Sequence, residues 1–462
     1  MSSPARSAAR SRRASVGPRQ VAIMAMAAMG PTAAIALDFP AMSGSAGPAF
    51  VLSLLIALAA VACIASAVRE LVRWYPHPGT FYAWGARAFG ARGGFLLGWV
   101  LLGAYLALAA SGLLLFGGWG AAWLSSFGLP APWWAWSTAA LGYVTIITVR
   151  GLRASVRGMI VLLAFQVLAV AVVALVAFTA APPAGYDSSR LVGGVGWPGV
   201  PLAMAAGILS CVGFEQAATL AEETEHPRDD LPRGVFTGAV LVPAFYVVVA
   251  VALVVGLGPR AVAGAVPLQD AASIYLGPGG SSLVVAAGLG SALALTQAVF
   301  GAAARLIRAM ARDGQLPRVL AVTHPDFGTP YVATFAVALV GLVVGWSLAI
   351  VLEPVRVWAD LAVTFSALFL VAYLCVNVVV VVCVRRDHPA ERSVVRHLVL
   401  PAAAIAAAGY ALYLTIWPFP GPPYAYFGAA AGLWIVLGAI LVVVRRRRFE
   451  GVVAAGRSGE PT

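Results

Sequence analysis

The stretch VAIMAMAAMGPTAAIALDFPAMSG, residues 21–44, is apolar enough and long enough to cross a hydrocarbon core of about 30 Å. Gly30-Pro31-Thr32-Ala33-Ala34 interrupts it near its middle. Proline removes a helix hydrogen bond there, and the small residues let the backbone approach another surface. Working outward, comparable runs of about eighteen or more apolar residues recur as far as Val444. They fall at 21–44, 47–70, 93–120, 131–149, 157–180, 200–222, 235–257, 281–308, 330–351, 357–384, 398–416 and 424–444. This pattern predicts an all-α integral membrane protein of about twelve transmembrane helices. The loops are too short for a soluble domain, so one membrane domain covers 21–446, with polar tails at 1–20 and 447–462.

Composition agrees. Of 462 residues, 61% are hydrophobic and 10% charged, whereas soluble domains carry roughly a quarter charged. The mean hydropathy is +0.90. A formal charge of +12 would suggest nucleic acid in a soluble chain, but here the arginines sort by loop. All but Arg190, Arg260 and Arg356 of the 30 basic residues fall in alternate segments, which predicts both termini in the cytoplasm of a multi-pass cell-membrane protein. The expected surroundings are therefore lipid bilayer and no nucleic acid. There is no lysine, which removes Schiff-base chemistry. Cys63, Cys211, Cys375 and Cys383 sit inside apolar runs, and the five histidines flank prolines or arginines, none with metal-ligand spacing. No nucleophile motif or phosphate loop occurs, so no cofactor and no enzyme are expected. Ser11-Arg12-Arg13 faintly matches an export signal, but the eleven further spans favour a cytoplasmic tail.

A second unusual run is Cys211-Val212-Gly213-Phe214-Glu215 in the sixth span, a glycine beside a carboxylate at membrane depth. Interrupted helices at matching places in two halves point to a midplane binding site. A kinking proline and a packing glycine, common in membrane helices, are the alternative. Charged groups at membrane depth cost roughly 2.5–3.5 kcal/mol each, so Asp38 and Glu215 are proton-coupling candidates. Glu215 could equally cap the broken backbone, and Asp38 could simply face water.

Gly213-Phe214-Glu215-Gln216-Ala217-Ala218 is followed by Ala221-Glu222-Glu223-Thr224, Pro227-Arg228 and Leu231-Pro232-Arg233. Two further runs lie at Met310-Ala311-Arg312-Asp313-Gly314 with Thr329-Pro330-Tyr331, and at Pro78-Gly79-Thr80-Phe81-Tyr82 with Phe89-Gly90. Together they resemble the amino acid–polyamine–organocation (APC) superfamily of permeases. The resemblance implies a five-plus-five inverted repeat, about 21–180 and 200–384, with broken first and sixth helices and two extra helices at 398–444. It implies secondary transport of a small-molecule amino acid, or alternatively an amine, with protons a candidate coupling ion. A membrane sensor that does not transport is another alternative.

Carried over by position, the substrate contacts implied are Thr32, Ala33 and Ala34 at the first break and Ser210, Cys211, Val212, Gly213 and Phe214 at the sixth. Thr296 and Gln297 of the eighth span join them as polar candidates. Glu222 and Glu223 are expected to form gating ion pairs with Arg305 and Arg312. Three departures stand out. Pro31 has no N–H for an anion, Gln166 stands where some proton-coupled members carry lysine, and Gly301-Ala302-Ala303-Ala304 lacks the hydroxyls of sodium-coupled relatives.

Overall fold

A computed structural model describes residues 16–180, 197–257, 267–417 and 421–444. Apart from an isolated bridge between Val16 and Thr224, every regular element among them is helical. Lipid leaves no alternative short of a barrel, because a backbone without water must pair within itself.

Helix α1 (Pro18–Ala28) stops at Met29, and α2 (Pro31–Ala46) restarts at once. Between them Gly30 adopts φ 57°, ψ 61°, a left-handed conformation that ends the first helix, and Pro31 opens the second where its missing N–H costs nothing. Helix α3 (Phe50–Trp74) returns after a short 3₁₀ turn at Gly47–Ala49. Then come α4 (Phe81–Ser125), α5 (Trp133–Arg150) and α6 (Leu152–Thr179).

The second half begins with α7 (Val200–Leu209), which gives way at Ser210–Gly213 to a 3₁₀ helix, Phe214–Glu222. It continues through α8 (Pro227–Leu257), α9 (Pro267–Arg312), α10 (Tyr331–Ala349) and α11 (Pro354–Arg386). Two peripheral helices, α12 (Leu400–Ile416) and α13 (Tyr424–Val444), finish the described chain. The first and sixth spans are thus both broken, as the resemblance implies.

Ten helical stretches among the described residues are long and apolar enough to cross a membrane, against twelve runs read from sequence. The difference has two physical sources. Residues 18–74 count as one stretch although the turn at Gly47–Ala49 divides them. Helix α5, matching the fourth run, is diluted by Trp133, Trp134, Trp136 and several hydroxyl residues, and is not among the ten. Helices also outrun their apolar cores. Arg87 and Arg92 read as loop, yet both lie on α4.

The centre of the bundle is α4 laid along α11, with α9 against α4 and α6, and α8 against α3. Only 22% of the apolar window of α12 and 11% of that of α13 is buried, so both flank the bundle. Thr364 of α11 donates to the Phe427 carbonyl of α13 at 2.8 Å, and a tryptophan pair anchors α13 further along. Trp99 and Trp434 stack 4.4 Å apart, and each indole N–H donates to the other residue's carbonyl.

Candidate functional site

The two breaks meet. A methyl group added to Gly213, which adopts φ 108°, would lie 2.8 Å from the Ala28 carbonyl oxygen, so the sixth-span break presses against the end of α1. Beside this junction lies a cavity of about 140 Å³. Gly30, Ala33, Ala34, Ser210 and Val212 line it from the breaks, Leu108 and Leu295 from α4 and α9, and Trp358, Phe365 and Ser366 from α11.

Asp38 reaches the same cavity. Its Oδ2 accepts a hydrogen bond from Ser210 Oγ at 2.6 Å, linking the first broken helix to the sixth. Ser210 has one hydroxyl proton, and its contact to the Ala206 carbonyl is longer, 2.9 Å. Tyr246 of α8 donates to the Ser210 carbonyl at 3.3 Å, one of the oxygens freed by the break.

The N–H groups that open α2 are accounted for. Pro31 has none, Thr32 N–H donates to Gln166 Oε1 at 3.3 Å, Ala33 N–H donates to Ser291 Oγ at 3.1 Å, and Ala34 N–H closes on the Gly30 carbonyl at 3.0 Å. Gln166 comes from α6 and Ser291 from α9. Two side chains therefore cap a helix start that carries no capping side chain of its own.

On the arginine-rich side of the cavity sits Glu215, fully buried. Tyr105 of α4 donates to its Oε1 at 3.2 Å, while Tyr373 of α11 and the Gly213 N–H donate to its Oε2 at 2.7 and 3.0 Å. Three donors on one carboxylate bind the sixth-span break to both central helices. Phe214 stacks on the ring of Tyr373 with centroids 5.9 Å apart, beneath the same clasp.

The remaining expected contacts point elsewhere. Thr32 and Cys211 are buried but are not among the residues lining the cavity. Thr296 bonds back to the Ala292 carbonyl at 2.6 Å, and Gln297 spans to Ser155 of α6 at 2.8 Å.

Towards the arginine-rich end the ion pairs assemble. Arg305 binds Glu223 at 2.8 Å, and Glu222 receives both Arg308 at 2.8 Å and Arg312 at 2.9 Å. Arg308 lies between the two arginines expected there. Next to them Tyr82 donates to Asp313 at 2.9 Å, and His77 contacts Arg312 at 3.3 Å. Burial holds His77 below the usual histidine range, with the Arg312 guanidinium acting the same way and the Asp313 carboxylate opposing. A separate cluster ties α3 and α4 to the end of α11. Burial alone would raise the Asp387 carboxyl, but hydrogen bonds from Arg87, Tyr75 and Arg386 hold it at about 2.

Asp360 escaped the sequence reading. It is buried on α11, 3.9 Å from Arg356, and neither carboxylate oxygen has a hydrogen-bond partner. An acid inside the run 357–384 was the available signal. Trp358 and Tyr373 gave no such signal, since aromatic residues in an apolar helix look like core.

Residues 16–444 match the family described as amino acid permease. The chain belongs to that family. An uncharacterised transporter of Mycobacterium tuberculosis is 32% identical over 308 residues, 64% of this chain and 66% of the relative. A methylthioribose transporter of Bacillus subtilis is 25% identical over 426 residues, 87% of each chain. A low-affinity putrescine importer of Escherichia coli is 27% identical over 336 residues, 70% of this chain and 71% of the relative.

Proposed function

We propose that this permease is a secondary active transporter of small solutes of the amino acid and amine class across the cell membrane. The observation that carries the reading is the cavity where two broken helices meet, joined across it by Asp38 and Ser210. Freed backbone polar groups belong at membrane depth only where they line a cavity or are buried in protein.

Several features support an inverted repeat behind it. The first and sixth spans carry left-handed glycines at their breaks, Gly30 and Gly213, and the third and eighth are entered through helices bent at Gly90 and Gly277. Both pairs are five spans apart. The arginine-rich end is read as cytoplasmic, with both termini on that side. There the Arg305–Glu223 and Glu222 pairs and the Glu215 clasp tie together the elements on that side of the cavity, which supports reading this conformation as shut towards the cytoplasm.

Coupling is assigned to protons or to exchange, not to sodium. Residues 301–304 are buried small residues without hydroxyls. Glu215 is the candidate proton site, because adding a proton to a carboxylate ringed by three donors sets an O–H against a donor and loosens the clasp.

Counterflow in proteoliposomes tests the reading. Labelled amino acids and amines should accumulate against the same unlabelled solute trapped inside. Failure of every member of both classes would overturn it.

A further inference from the structure

We propose that Gln166 and Ser291 close the first-break cradle to a carboxylate, and that the cavity takes a small organic cation lacking one, with Asp38 as its counter-ion. This rests on the permease reading above and narrows its substrate class.

A helix start attracts an anion through unpaired N–H groups and the positive end of its dipole. At α2 those N–H groups are spent. Proline removes one, the Gln166 and Ser291 side chains hold two, and a backbone carbonyl takes the next. A carboxylate arriving there must displace two acceptors that come from different helices and are themselves buried. No positively charged side chain on the wall would hold it. Among the residues lining the cavity there is no arginine or histidine, and the one charge is negative.

That negative charge suits an amine. Asp38 lines the cavity and is held by a single short hydrogen bond from Ser210, which leaves its other oxygen to accept from an ammonium group. Glu215, the other deep acid near the breaks, already receives three donors and sits outside the lining. Trp358 and Phe365, edge to face with centroids 5.7 Å apart, offer ring surface to a cation and to its apolar body. The volume of about 140 Å³ falls below the roughly 300–1,000 Å³ of sites for drug-sized ligands. The guest is therefore small.

The test is equilibrium binding to the purified full chain in nanodiscs, using three matched probes. These are leucine, 3-methylbutylamine, which is leucine without its carboxylate, and the uncharged 3-methylbutanol. The amine should bind at least about tenfold tighter than either of the others, and Asp38→Asn should remove that advantage. Gln166→Ala combined with Ser291→Ala frees two N–H groups, so leucine should gain affinity while the amine keeps its own. Thermal melting of each unliganded variant confirms that it is folded. Where Asp38→Asn does not fold, Ser210→Ala, which removes the one partner of Asp38 and leaves its charge, should keep the preference for the amine. Equal or tighter binding of leucine by the unaltered protein would overturn the proposal, as would unchanged amine affinity in Asp38→Asn. If counterflow succeeds with amino acids but not amines, the permease stands and this substrate class falls. If it fails with both, the permease reading falls as well.

Discussion

Glu215 was legible as an important residue because a carboxylate beside glycine at membrane depth is costly, but its partners were not. Tyr105 and Tyr373 lie 110 and 158 positions away, and only the fold brings them to it. The geometry gives the carboxylate a structural duty that any proton role must work through. Glu215→Gln keeps its shape but replaces one acceptor oxygen with a donor facing donors. We expect pH-driven uptake to be lost and the protein to lose about 2–4 kcal/mol, since hydrogen bonds to charged groups are worth about 1.5–3 kcal/mol and an orphaned donor adds its own penalty. Tyr373→Phe removes one bond and should cost about half as much. Thermal unfolding alongside uptake measured across pH checks both. An unchanged uptake profile in Glu215→Gln would take the residue out of the coupling mechanism.

At the scale of elements, the breaks are set by backbone geometry that only some residues allow. Gly213 combines φ 108° with a backbone oxygen 2.8 Å from where a methyl would sit. Gly213→Ala should therefore cost about 1–3 kcal/mol or more and abolish transport. Gly142, in the middle of α5 with open space around it, is the control, and Ala there should leave both properties intact. A transport-competent Gly213→Ala protein would show that the sixth break tolerates reshaping. Gly30-Pro31 announced its break in sequence because proline and glycine each disfavour helix. Gly213 did so only with the charged residue beside it. Helix ends were less legible, since α4 and α9 continue past their apolar stretches and membrane thickness does not limit a helix that enters water. The capping of α2 by Gln166 and Ser291 was invisible for the same reason as the tyrosine clasp: it joins elements distant in the chain.

For the whole molecule, the arginine-rich end carries charge pairs of two kinds. Arg305–Glu223 and the Glu222 pairs bridge the end of the 3₁₀ helix of the sixth span to α9, which on the proposed permease reading puts them across the path from the cavity. The Asp387 cluster instead joins α4 to α11, which form the bundle's central pair. Breaking the first kind should open the path, and breaking the second should not. Cys211, buried at the sixth break, is a native reporter. With Cys63, Cys375 and Cys383 replaced by alanine, Arg305→Gln should raise labelling of Cys211 by a membrane-impermeant maleimide added from the arginine-rich side, whereas Asp387→Asn should leave it near the starting rate. The effect of pH follows from the sign of the shift at Asp387. A carboxyl held at about 2, against about 3.9 in an unfolded chain, stabilises fully above the higher value and loses that contribution only as pH falls through the lower one. Between about pH 5 and 8 the contribution of the Asp387 carboxylate is therefore constant, and any change in Cys211 labelling over that range arises from other groups. Labelling that is insensitive to Arg305→Gln would mean that the ion pairs do not guard the sixth break.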